Sequence, residues 1–289
     1  MSARSVENLP TVVYTPASQV RSPVSLLKNM MADLLVSREL AWRITVRDIS
    51  AQYRQSILGL FWAFVPPLLS AFLFIILQRK SVVNIGDTGM PYPLFVLMGT
   101  TLWQIFAEAV AAPLKVVTGA KAILAKVSFP REALVLSAFC QTVFGFLIKA
   151  LLLVAILLYF GTPMRPQALL ALGTILLLIW LGVVIGLALT PAGMLVPDVS
   201  QIITLGLQLA FFLTPVVYPA PVTFPYSLVV TWNPVSPYLL ASRSLLVQGT
   251  AAGYLAPMLV VTAGLLGVTV LSWLLYRVSM PIIIERIGA

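Results

Sequence analysis

Residues 41–67 read AWRITVRDISAQYRQSILGLFWAFVPP, and the stretch changes character at Ser56. Arg43, Arg47 and Arg54 come first; a long run without any charge follows at once. A dense basic cluster set directly against an apolar segment is what a chain needs where it enters a bilayer from a charged interface. Composition extends that reading to the whole chain. Of 289 residues, 60% are hydrophobic and only 9% are charged, with a mean hydropathy of +1.01. A soluble domain carries about 25% charged residues to face water, so most of this surface faces lipid.

A bilayer core needs about 20 mostly apolar residues per helix. That ruler finds six segments, at approximately 57–78, 92–113, 133–160, 168–190, 199–218 and 255–276. The expected fold is therefore all-α and integral to the membrane, with six transmembrane helices forming a domain over 57–289. Residues 25–56 form an amphipathic interface region before it, and 1–24 a proline-punctuated tail. The first 55 residues hold no apolar core of signal-peptide length, so the start is not expected to be a cleaved leader.

Lysine and arginine set the orientation. Arg4, Arg21, Lys28, Arg38, Arg43, Arg47 and Arg54 precede the first span, Lys115, Lys121, Lys126 and Arg131 follow the second, and Arg277 and Arg286 follow the sixth. In a six-span chain these all fall on one side. Arg79, Lys80, Arg165 and Arg243 fall on the other, so both termini are expected in the cytoplasm. The net charge of +9 is read as this loop bias and not as nucleic-acid binding.

Two ionisable residues fall inside spans. Lys149 lies in the middle of the third, where its cost of about 3 kcal/mol is outweighed by the surrounding apolar residues, and its ammonium should face protein or water. Glu108 lies in the second span. Two readings stay open: the two residues pair, or Glu108 snorkels to water from near its helix end.

At 100° per residue, Arg43, Arg47 and Arg54 share one edge of a helix, while Trp42, Val46, Ile49 and Tyr53 form an apolar stripe beside it. This predicts an interface helix that sets its aromatics at headgroup level and offers arginines to anionic lipid or a partner. Pro66 and Pro67 are expected to kink the first span. Gly182 and Gly186 have the spacing of close helix packing. In the loop TGAKAILAKVSFPRE (118–132), a short helix is expected over 120–128, with Ile123, Leu124 and Val127 on one face and Lys121 and Lys126 elsewhere. Before the last span, YPAPVTFPYSLVVTWNPVSPYLLASRSLLVQGT (218–250) contains apolar pieces too short to cross. They read as re-entrant or interfacial half-helices, with Tyr226, Trp232 and Tyr238 suited to the membrane boundary.

Some chemistry is excluded. Histidine is absent, the nine carboxylates are scattered, and Cys140 stands alone, so neither a metal centre nor a disulfide framework is expected. No GxxxxGK[ST] phosphate loop occurs. If ATP drives this protein, another polypeptide binds it.

RDISAQYRQSILGLFWAFVPP (47–67), GTTLWQIFAEA (99–109), AILAKVSFPRE (122–132), FFLTPVVYP (211–219) and NPVSPYLLASRSLLVQG (233–249) occur in that order. In this series the chain from about Arg43 onward resembles the permease subunits of ABC exporters for polysaccharides and polyol phosphates, which export O-antigen, capsule or teichoic acid precursors. The resemblance implies a permease homodimer in the cytoplasmic membrane. Two separate ATPase subunits would carry the ATP and Mg; this chain would bind no cofactor, no nucleic acid and perform no covalent chemistry.

The implied substrate is a lipid-linked glycan. The resemblance further implies that Ala120, Lys121, Ile123, Leu124, Lys126 and Val127 belong to a coupling helix on the ATPase, that 42–54 is the interface helix, and that 226–247 caps the exit. Phe61, Trp62, Phe211 and Phe212 are candidates to stack on sugars along the path. The chain departs from the family at Val196-Pro197-Asp198, where an Arg-Asp pair is usual, which weighs against a second ATPase contact through Asp198. The rivals are an ABC permease for a small lipid or drug, a membrane enzyme, for which the carboxylates are too scattered, and a proton-coupled secondary transporter using Glu108 and Lys149.

Overall fold

The structure is a computed structural model, which describes residues 23–54, 59–81, 86–124, 126, 129–163 and 165–288. Among these the regular elements are all helical. Helix α1 (Pro23–Val36) and α2 (Arg38–Arg54) precede a 3₁₀ turn (Gly59–Ala63), and α3 (Val65–Arg79), α4 (Tyr92–Gly119) and the single turn α5 (Lys121–Leu124) follow. Then come α6 (Glu132–Tyr159), α7 (Ala168–Leu195), α8 (Asp198–Leu213), α9 (Tyr226–Trp232), α10 (Ser236–Val247) and α11 (Ala252–Gly288).

Four helices, α4, α6, α7 and α11, are long and apolar enough to cross a membrane. The chain is a multi-pass membrane protein. The expected first and fifth spans correspond to shorter helices of 15 and 16 residues. At 1.5 Å per residue they extend about 22–24 Å, short of a hydrocarbon core of about 30 Å. The first expected span is also built differently. Pro66 and Pro67 occupy the opening turn of α3, where a missing N–H leaves no hydrogen bond unmade. They start the helix and do not kink it. Similarly, the fifth helix ends at Leu213, because Thr214-Pro215 turns extended and the proline has no N–H to continue the ladder.

The core is organised around α4, which packs against α3, α6 and α7. Its contact with α7 depends on glycine. A Cβ on Gly182 would lie 2.5 Å from Ala109 Cβ, and one on Gly186 would overlap the Val110 carbonyl and sit 3.0 Å from Pro113 Cδ. The two backbones therefore meet directly, as the spacing predicted.

Buried apolar side chains form two separate clusters. The larger fills the membrane interior around Leu102, Ile105, Phe106, Leu178 and Ile179. The second lies at one end of the bundle and joins α2 (Ala41, Ile44), the base of α4 through Ala120 and Leu124, the start of α6, and α11 at Tyr276, Met280 and Ile283. We refer to this as the basic end, since the arginine-rich α2 and the lysine-bearing loop after α4 converge there.

Candidate functional site

At the basic end α2 lies against α6. It turns Ala41, Ile44 and Thr45 inward, and the Thr45 and Ser137 hydroxyls are 3.0 Å apart. Gln141 Nε2 donates to Asp48 Oδ2 at 3.0 Å. The apolar stripe read from the sequence divides in two. Trp42 and Val46 are exposed. Ile49 and Tyr53 instead line a cleft. Arg43 pairs with Glu39 and Arg47 with Asp48, both at 2.7 Å, while Arg54 is exposed at the last turn.

The cleft, about 480 Å³, runs between α2, the 3₁₀ turn, α4 and α6. On its wall Lys149 Nζ donates to Glu108 Oε2 at 2.6 Å. The lysine side chain is 2% exposed and the glutamate 47%. Both readings of Glu108 thus describe part of the arrangement: it pairs with the lysine and reaches the open cleft. Gln52, Lys115 and Trp62 complete the polar rim. Lys115 Nζ donates to Gln52 Oε1 at 3.4 Å. Burial, and secondly the Glu108 carboxylate, push the Tyr53 phenol above its ordinary pKa.

The loop after α4 starts with Ala120, which is buried, and continues through α5. Lys121 and Lys126 are exposed, whereas Ile123 and Leu124 part company. Ile123 is 41% exposed and Leu124 only 7%, its side chain entering the basic-end cluster. Val127 lies outside the described residues.

Among the path candidates, Phe61, Trp62 and Phe212 are exposed. Phe211 is not available as a stacking platform, because its ring packs against Trp103, Phe74 and Phe212 at 5.8, 6.0 and 5.3 Å.

At the opposite end, Tyr226 and Trp232 of α9 are exposed, but Tyr238 is fully buried. The expectation for Tyr238 is corrected: α10 packs on α7 and α11, and the Tyr238 hydroxyl lies 2.9 Å from Thr262 Oγ1. The same helix carries Arg243, 3% exposed. Its guanidinium donates to the Val216 and Pro215 carbonyls at 2.8 and 3.3 Å and stacks 3.7 Å from the centre of the Phe95 ring. Tyr92 donates to the Val217 carbonyl at 3.1 Å, and Asn233 Nδ2 to Thr214 Oγ1 at 2.7 Å. The segment after α8 is thereby pinned by three residues, Arg243 of α10, Tyr92 of α4 and Asn233 between α9 and α10.

Sequence reasoning missed Arg243 as a clamp and Arg277 as an ion-pair centre. It read both by charge alone, Arg243 in the stretch before the last span and Arg277 in the segment after it. For Arg243 a signal existed: a lone arginine inside the apolar run PYLLASRSLLV needs buried acceptors.

Long apolar helices, with a polar cleft and a small exposed turn at the basic end, make this an integral membrane protein. Residues 39–247 match the model of the family described as ABC-2 type transporter. The chain belongs to that family, whose members are membrane subunits of transporters. It is similar to an O-antigen export system permease protein RfbA from Klebsiella pneumoniae, 26% identical over 249 residues covering 81% of this chain and 91% of that relative. An O-antigen export system permease protein RfbA from Myxococcus xanthus is 27% identical over 197 residues, covering 66% of this chain and 72% of the relative.

Proposed function

We propose that this chain is the permease subunit of an ATP-driven exporter that carries a lipid-linked polysaccharide across the cytoplasmic membrane. The observation that carries the reading is similarity along most of the chain to permeases named for O-antigen export. The working unit is two copies of the permease with two separate ATPase subunits, which hold ATP and Mg. Its basic end faces the cytoplasm, in keeping with the lysine and arginine bias. The six-span topology is part of this proposal. The 3₁₀ turn before α3 and the pinned segment after α8 extend those short helices toward the length a span needs.

Helix α8 supports the pairing of two copies around a polar path. None of its side chains is buried, yet Gln201, Thr204 and Gln208 are all exposed, within about 60° on one face. Glutamine facing lipid is costly, so that face suits a hydrated path between permeases. Trp62 and Phe212 are both exposed and are the aromatics this reading assigns to stacking on sugar rings, with α9 and α10 as the re-entrant cap.

The exposed turn α5 is the docking point for the ATPase. The test is co-purification of the tagged chain with ATPases encoded beside it, comparing wild type with Ile123→Asp. Ile123 is the side chain to change, since Leu124→Asp would place a carboxylate in an apolar cluster and unfold that end. Loss of the ATPase from an Ile123→Asp protein that still elutes as folded supports the reading; no ATPase with wild type defeats it.

A further inference from the structure

Directly after the coupling loop, three charged residues from distant parts of the chain close on one another. Arg277 of α11 donates through Nη1 to Glu132 Oε1 at 2.6 Å and through Nη2 to Asp33 Oδ2 at 2.7 Å. Its side chain is 11% exposed, that of Glu132 5% and that of Asp33 23%. The neighbouring Tyr276, fully buried, donates its hydroxyl to the Arg131 carbonyl at 3.3 Å. Two consecutive residues of α11 thus hold the two residues at which the loop becomes α6. A guanidinium shared by two carboxylates has directional, charge-assisted bonds. Unlike an exposed pair, a mostly buried one resists separation, because breaking it strands a charge away from water.

We infer that the Asp33–Arg277–Glu132 triad is the joint through which movement of the loop 120–131 is passed to α11 and α1, with Arg277 as its positioning residue. The inference rests on the proposed docking of an ATPase at α5. When the loop is displaced, Glu132 and the Arg131 backbone move with the first turn of α6. Arg277 and Tyr276 then follow, because staying behind would break the triad, and α1 follows through Asp33. The apolar cluster that includes Leu124, Ala133, Met280 and Ile283 gives the loop, the start of α6 and α11 a common packed base, while α1 is tied in through Asp33. A rearrangement at the ATPase therefore reaches the last transmembrane helix by a short route that bypasses the membrane interior.

The experiment is hydrogen–deuterium exchange of the permease–ATPase complex in lipid nanodiscs, with and without trapping by MgATP and vanadate. Wild type, Arg277→Gln, Arg277→Lys and Asp33→Asn would be compared, with thermal stability recorded for each. In wild type, trapping changes exchange both in 120–131 and in 277–286. In Arg277→Gln the first change persists and the second is lost; Arg277→Lys, which cannot bridge both carboxylates, keeps part of it. Asp33→Asn alters the most exposed member, keeps the variant folded, and reduces the second change. If the variants lose stability yet transmit the full change to 277–286, the triad is only a staple and the inference is wrong. Were 277–286 silent in wild type while 120–131 responds, the inference fails alone; silence in both segments overturns the ATPase docking as well.

Discussion

Lys149 and Glu108 form one ion pair with two unequal halves: the lysine side chain is 2% exposed, the glutamate side chain 47%. The asymmetry decides what each substitution does. Glu108→Gln strands a buried ammonium, a loss of about 3–5 kcal/mol where water is excluded and less beside this open cleft. Lys149→Met strands only a carboxylate that water already reaches. Thermal inactivation in detergent should rank wild type above Lys149→Met and Lys149→Met above Glu108→Gln, with the double variant restoring part of the loss. Transport by Lys149→Met that still follows ATP hydrolysis would also count against a proton-coupled mechanism through this pair.

Gly186 and Gly173 lie on the same helix, yet only the first is crowded. A Cβ at Gly186 would overlap the α4 backbone, while one at Gly173 meets nothing within 4 Å. Gly186→Ala should cost about 1–3 kcal/mol through overpacking, and Gly173→Ala should be neutral or stabilising by up to about 1 kcal/mol. Melting temperatures of the two purified variants check this.

Gly99 and Arg243 should behave as one unit. A methyl group at Gly99 would overlap both the Arg243 guanidinium and the Val216 carbonyl it serves. Gly99→Ala and Arg243→Met are expected to destabilise to similar degrees, and the double variant by much less than their sum. Additive losses in a thermal double-mutant cycle would mean that the clamp is not the shared cause.

Helix α8 offers a test of the path by accessibility. In a Cys140→Ser background, cysteine at Gln208 should react with a membrane-impermeant maleimide in assembled exporter, whereas cysteine at Leu209, about 100° around the helix, should not. Equal labelling at both positions would argue against a polar face.

Four of the long helices were legible because length and hydropathy are properties of a contiguous segment. The limits of the shorter two were not. Pro66 and Pro67 can open a helix or bend one, and only the arrangement before them, a 3₁₀ turn ending at Ala63, shows which. The interface helix was legible as amphipathic, but its stripe was assigned to a single environment. Packing on α6 divided it, sending Trp42 and Val46 outward and Tyr53 to the cleft. Tyr238 was misplaced for a related reason. A tyrosine in an apolar half-helix suits a membrane boundary on composition, but its hydroxyl found Thr262 instead.

By itself the sequence determined the membrane class, the long apolar helices, the basic side and the family resemblance, since each depends on local composition or on motifs in order along the chain. Only the tertiary structure decided which charges meet. Glu108 and Lys149 are 41 residues apart, Glu132 and Arg277 are 145 apart, and Asp33 and Arg277 are 244 apart. Away from water a charge is tolerated only with a partner, and the partner is supplied by how the helices pack.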